Sequence, residues 1–266
     1  MDIFNLEYTY TIAGFFVGFI IGMTGVGGGS LMTPILVFFF GIKPAMAVGT
    51  DLLYAAITKS GGILAHHRNK TIDWKIVGLM ALGSIPSSFI SVLILKQMNA
   101  AGINHDRIIT LTLSVALILT SMALLFKEQL KKFSKDESST AVRLLHQRFI
   151  KPVTVLAGAL IGVLVTFSSV GAGALGAAFL LFLYPQLRAI TIVGTDLAHA
   201  VPITTIAGLG HAHIGTVDYL LLGSLVIGSL PGIYLGSHIG KFLPDRLIRP
   251  LLACLLLLIG IRMVAA

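Results

Sequence analysis

The stretch Val48-Gly49-Thr50-Asp51-Leu52 returns as Val193-Gly194-Thr195-Asp196-Leu197, 145 positions further along a chain of 266 residues. The register holds on the C-terminal side. His66, Thr71, Asp73, Gly78, Gly83, Ser84 and Pro86 answer to His211, Thr216, Asp218, Gly223, Gly228, Ser229 and Pro231. On the N-terminal side the offset is 144: Gly14, Gly18, Val26, Gly27, Gly29, Leu31, Leu36 and Phe38 match Gly158, Gly162, Val170, Gly171, Gly173, Leu175, Leu180 and Phe182. After a shorter loop, Asp106-Arg107 reappears as Asp245-Arg246. The chain is one unit written twice.

Composition says where that unit lives. Hydrophobic residues make up 56%, charged residues 11%, and the mean hydropathy is +0.94, whereas soluble domains run near a quarter charged. Ile76–Leu95 and Ile108–Phe126 carry no charge over 20 and 19 residues, enough to cross a hydrocarbon core of about 30 Å. Met1–Tyr10 holds Asp2 and Glu7 but no Lys or Arg. It lacks the basic head of a signal peptide, so the first helix is expected to stay in the mature protein.

Apolar runs between Gly, Pro and charge clusters give five segments per copy, at about 8–23, 31–41, 44–65, 75–95 and 107–126, then 152–167, 174–184, 188–210, 218–240 and 246–264. The second of each set has about eleven residues, short for a full crossing at 1.5 Å per residue, and reads as a re-entrant half-helix. An odd number of segments per copy turns the second copy over. The expected fold is an all-α polytopic membrane protein of two inverted-topology repeats with broken helices at Gly-rich elbows. Repeat one is 1–126, a cytoplasmic linker is 127–151, and repeat two is 152–266.

The basic residues test this orientation. With the N-terminus outside, fourteen Lys and Arg fall on the cytoplasmic side and four outside, with Lys59 left inside a helix. That imbalance obeys the positive-inside rule. It places a multi-pass protein in the cell (inner) membrane with both termini on the non-cytoplasmic side. The net charge of +8 follows from the same bias, so no nucleic-acid partner is expected. The run 127–151 reads as a plain linker, with attraction to anionic headgroups as the competing role.

Two elbows carry the expected chemistry: Gly27, Gly28, Gly29 and Ser30 in copy one, and Gly171, Ala172, Gly173 and Ala174 in copy two. Apolar helices flank them, which excludes a phosphate loop in a βαβ unit. Non-helical backbone at membrane depth survives only where protein or a water-lined cavity satisfies it. The amides that open the following helix lack intrahelical partners, and the helix dipole adds positive character there. Such a place binds anions. Close packing through small residues is the competing explanation; two elbows in opposed copies favour a shared substrate site, with Thr50 and Thr195 as hydroxyl donors.

Asp51 and Asp196 are costly in a bilayer unless they face protein or water. They serve either proton coupling or the bracing of a broken helix through hydrogen bonds from elbow amides; the sequence weighs these equally. Lys59 has Thr204 as its counterpart, and its position favours snorkelling to the cytoplasmic face over attracting the anion or pairing with Asp51. His199 follows Asp196 by one helical turn and is either a proton relay or a histidine satisfied by a backbone carbonyl. His66, His67, His211 and His213 fall on opposite faces under inversion, so a shared metal is excluded and interfacial or loop-capping histidines are expected. The single Cys254 permits no internal disulfide or thiolate cluster. No metal and no cofactor are expected.

These motifs resemble the TauE/SafE family of sulfite exporters. The marks are Gly27-Gly28-Gly29-Ser30 with Pro34 following, Ala47-Val48-Gly49-Thr50-Asp51-Leu52, Ser169-Val170-Gly171-Ala172-Gly173, Val193-Gly194-Thr195-Asp196, and Gly228-Ser229-Leu230-Pro231. The resemblance covers nearly the whole chain outside the linker. It implies export of sulfite, of sulfonates such as sulfoacetate, or of related small anions, driven by the proton gradient. Where many members carry Ser or Asn after Gly-Thr, this chain has Asp twice. The reading is a transporter and not an enzyme, with a small anionic solute and the lipid bilayer as partners; a homodimer is compatible with the pattern but not encoded by it. The rivals are an anion channel, an importer of a small carboxylate or sulfonate, and an intramembrane aspartyl protease. The last is disfavoured because both aspartates sit in Gly-Thr-Asp rather than in Tyr-Asp and Gly-x-Gly-Asp.

Overall fold

The computed structural model describes residues 3–24, 29–126, 129, 140–239 and 245–265, and among these every regular element is a helix. Copy one supplies α1 (Ile3–Thr24), α2 (Gly29–Phe38), α3 (Pro44–Arg68), α4 (Trp74–Ala100) and α5 (Asp106–Leu125). Copy two supplies α6 (Thr140–Ser168), α7 (Ala174–Leu183), α8 (Ala189–Ile214), α9 (Tyr219–Ile239) and α10 (Asp245–Ala265). Among the described residues, five helices are long and apolar enough to cross a membrane: α4, α5, the part of α6 from Phe149 to Ser168, α8 and α9. The α6 helix starts at Thr140, so helix already occupies nearly the last half of the stretch read as linker. Both α2 and α7 have 10 residues, a rise of about 15 Å, or half a hydrocarbon core.

Local chemistry sets the ends. Pro44 opens α3, where its fixed φ is preorganised and its missing N–H is harmless. Asp73 caps α4: its Oδ1 accepts the amides of Lys75 and Ile76 at 3.0 and 3.2 Å. Asp218 does the same for Leu220 and Leu221, both at 3.0 Å. The turn after α8 needs a left-handed residue, supplied by Gly215 at φ +85. Lys70 holds the matching place after α3, at φ +52.

Neither copy has a core of its own. One apolar cluster joins Val48 and Leu52 of α3 and Met80 of α4 to Ile161, Leu180 and Ile203 of copy two. The other joins Val17, Met32 and Leu36 of copy one to Leu225 and Leu256 of copy two. The helices pair reciprocally across the copies: α1 with α9 and α4 with α6, α3 with α8, α5 with α10. Glycines let the first two pairs approach. A Cβ on Gly14, Gly18 or Gly22 would strike the backbone of Leu225, Ser229 or Ile233, and one on Gly228 or Gly232 would strike Thr11 or Phe15. Gly83 against Val155, and Gly158 against Met80, repeat the arrangement between α4 and α6. Small residues at four-residue spacing are what let membrane helices touch backbone to backbone.

Candidate functional site

The Gly-Thr-Asp elements lie near the starts of α3 and α8, and both carboxylates are buried, Asp51 fully and Asp196 to within 4%. Each leans on the half-helix of its own copy. Asp51 Oδ2 accepts the Thr33 hydroxyl of α2 at 2.5 Å. Asp196 Oδ1 lies over Gly176 in the first turn of α7, in the space a Cβ there would fill. A negative group at this end of a helix is favoured by the dipole. The bracing partner in copy one is a hydroxyl rather than the elbow amide expected from sequence. In both cases Oδ1 is left without a hydrogen bond.

Lys59 does not snorkel. It is 7% exposed, and its Nζ donates to the Ala172 carbonyl in the opposite elbow at 2.6 Å. A buried ammonium needs both a lone pair and a compensating charge. Ala172 O supplies the first, while Asp196 and Asp51 both stand within electrostatic reach of it. Its counterpart Thr204 donates to the Ala200 carbonyl of its own helix at 2.9 Å. Among the described residues, the centre therefore holds one cation, from copy one.

Register draws in Tyr54, Ser84 and Ser229, which had no role in the sequence reading. Tyr54 is to Asp51 what His199 is to Asp196, three residues on, and Ser84 is to α4 what Ser229 is to α9. His199 Nε2 pairs with Ser84 Oγ at 2.8 Å while Nδ1 has no partner, so a hydroxyl replaces the expected backbone carbonyl. Tyr54 is fully buried with its hydroxyl unpaired. Ser229 lies beside it but is turned to the Val226 carbonyl at 3.2 Å. Ser169, at φ +58, approaches Asp51 without closing a bond. Buried polar atoms are nearly always paired. Here Asp51 Oδ1, Asp196 Oδ1, Tyr54 Oη, His199 Nδ1 and Ser169 Oγ are all unpaired, on elements that meet around Lys59. The matched Ser84 and Ser229, and the Tyr54–His199 register, were available as the signal.

Of the elbow residues, Gly27 and Gly28 lie outside the described residues. Gly29 opens α2 and Ser30 is buried in its first turn. In copy two, Gly171 and Gly173 have φ of +122 and +141, conformations that only glycine adopts without strain. This turns the chain from α6 into α7. The Gly176 and Ala177 amides then bond to Gly171 O and Gly173 O at 3.0 and 2.9 Å, leaving Ala174 and Leu175 N–H without an acceptor inside the helix.

Thr50 and Thr195 are engaged as acceptors. Thr50 Oγ1 accepts the Asp218 amide at 3.0 Å and Thr195 Oγ1 accepts the Asp73 amide at 3.0 Å. Each hydroxyl is thus committed, as an acceptor, to the turn that follows the long third helix of the other copy. His66 and His211 hold those same turns, with Nδ1 paired to Thr71 Oγ1 at 2.7 Å and to Thr216 Oγ1 at 2.8 Å. The loop-capping expectation holds for these two histidines. A groove of about 260 Å³ between α5 and α7 is lined only by Ala123, Leu175, Ala178, Phe179 and Phe182; it offers an anion nothing.

Comparison with known proteins agrees with the membrane architecture. The family model described as "Sulfite exporter TauE/SafE" matches residues 10–263. The chain is 37% identical over 259 residues to the probable membrane transporter protein YjnA of Bacillus subtilis, covering 97% of this chain and all of that protein. It is 26% identical to the probable membrane transporter protein YunE of the same organism, over 95% of each chain. A probable membrane transporter protein of Xylella fastidiosa is 25% identical over 85% of this chain and 81% of its own length. No solved structure matches.

Proposed function

The chain belongs to the TauE/SafE family of membrane transporters, and from that premise we propose that it is a secondary transporter exporting a small organosulfur or sulfur oxyanion, such as sulfite or a sulfonate, with proton coupling by alternating access. The carrying observation is the set of five unpaired buried polar atoms around the single central cation. Orphaned groups in a low-dielectric interior cost free energy unless a ligand or water completes them. Donors and acceptors both belong to the set, as an oxyanion and a mobile proton require.

In this reading the anion lies between Lys59 and the N-terminal turn of α7, where the Ala174 and Leu175 amides and the helix dipole favour negative charge. Asp51 and Asp196 hold the proton, and protonation also removes their repulsion toward the anion. Inverted repeats give a site that faces either side in turn.

The test is uptake into proteoliposomes of sulfite, sulfoacetate, sulfate, thiosulfate and acetate, with and without a pH gradient. Saturable movement of a sulfur oxyanion is expected. Ala172→Leu, which fills the elbow, abolishes it while leaving membrane insertion intact. No movement of any solute, or normal transport by Ala172→Leu, removes the reading or moves the site.

A further inference from the structure

Among the described residues, the buried Asp, Glu, Lys and Arg side chains are Asp51, Asp196 and Lys59. Two further buried titratable groups face them: Tyr54 on α3 and His199 on α8, the latter engaged with Ser84. The apolar residues of α2, α5 and α6 that pack here add no charge. A dry site between two gates must stay close to neutral, since an uncompensated charge there has neither water nor counter-ion. With both carboxylates ionised and Lys59 protonated the sum is −1, so the empty site is neutral with one proton shared between the two aspartates. A bound monovalent anion returns the sum to −1. One more proton, placed on the remaining carboxylate, restores neutrality. Both acids are then filled. A divalent anion needs a third proton, and the remaining acceptor, His199, stands within electrostatic reach of Lys59, so charging it sets two cations together.

Resting on the transport reading above, we infer that this site moves one proton together with one monovalent oxyanion, in the same direction and without net charge, and that it rejects divalent anions. The balance closes: one anion and one proton enter the neutral one-proton site, and both leave from the neutral two-proton site on the other face. Export then runs on the outward gradient of the anion, and an inward proton gradient opposes it.

The experiment uses the whole protein in liposomes containing a pH dye, with potassium gradients and valinomycin setting the voltage. The probes are sulfite and methanesulfonate, which offer a monovalent form, and 1,2-ethanedisulfonate, which is permanently divalent. The expected result is uptake of a monovalent probe with luminal acidification, and an accumulation ratio that voltage leaves unchanged. Ethanedisulfonate uptake should be at least about tenfold slower. A single net charge carried across about 100 mV would shift the ratio roughly fiftyfold, so the two cases separate cleanly. Voltage-driven accumulation, luminal alkalinisation or equal disulfonate flux overturns the inference while leaving transport standing; absence of all flux removes the transport reading itself. The same count predicts that Asp196→Asn slows uptake but leaves one proton moving with each anion, because one carboxylate still cycles. Asp51→Asn with Asp196→Asn should retain only anion exchange, blind to the pH gradient. The wild-type measurement decides the matter if either variant fails to assemble.

Discussion

The Thr50 hydroxyl accepts the backbone amide of Asp218 at 3.0 Å, joining residues 168 positions apart, and Thr195 does the same with Asp73. The hydroxyls thus act first as struts between the copies. Thr50→Val keeps shape and removes the acceptor, leaving a buried N–H unpaired. A loss of about 1–3 kcal/mol is expected, read as earlier thermal unfolding in detergent, with Thr50→Ser close to wild type. A raised KM at unchanged stability would instead return Thr50 to the role of substrate donor.

The residue before each threonine is glycine because no other fits. A Cβ on Gly49 would meet the Thr216 carbonyl, and one on Gly194 the Thr71 carbonyl. Neither obstacle is a flexible side-chain end. Gly49→Ala and Gly194→Ala should each destabilise by about 1–3 kcal/mol through overpacking. Gly61, on the same helix with nothing within 4 Å, is the control: Gly61→Ala should be neutral or stabilising by up to about 1 kcal/mol. Equal melting temperatures for Gly49→Ala and Gly61→Ala would refute the tight crossing.

What could be read from sequence alone follows from which interactions are periodic. The duplication at 144–145 positions and the ten apolar segments identified the helices, because burial in lipid writes long apolar runs. The ten-residue α2 and α7 match the short second segments. The start of α6 at Thr140 was not visible, since Arg143 and Arg148 interrupt the apolar run. Asp51 and Asp196 stood out because charge in a bilayer is rare. Tyr54 did not, because an aromatic in an apolar helix looks like core until its unpaired hydroxyl is seen. Lys59 reads as a snorkelling residue from its place in one helix; its partner, Ala172, lies 113 positions away. Contacts of that range leave no trace in local spacing.

Tyr54→Phe isolates an orphan. The hydroxyl has no hydrogen-bond partner, so removing it forfeits no internal bond, and stability should be unchanged or higher. If the hydroxyl completes its bonding on the transported anion, the variant loses about 0.5–1.5 kcal/mol of affinity, a rise in KM of up to about tenfold. Wild-type KM in a stable Tyr54→Phe protein would mean that this atom does not face the solute.

Lys59→Thr installs in copy one the residue that copy two already carries at Thr204, making the centre symmetric and removing its cation. Two consequences are distinguishable. The Ala172 carbonyl loses its 2.6 Å donor, and two buried carboxylates lose the charge that compensates them, so stability falls. Lys59→Thr combined with Asp51→Asn should recover much of that stability, because it leaves one carboxyl that can be held protonated. It should not recover transport, because an anion entering a site without a cation has nothing to offset it. Lys59→Arg keeps the charge and should keep measurable flux, reduced by the misfit of a planar guanidinium at a site shaped for one ammonium. Flux near wild type in the double variant, measured on protein of restored stability, would make Lys59 a structural tether between α3 and the α7 elbow rather than the group that holds the solute.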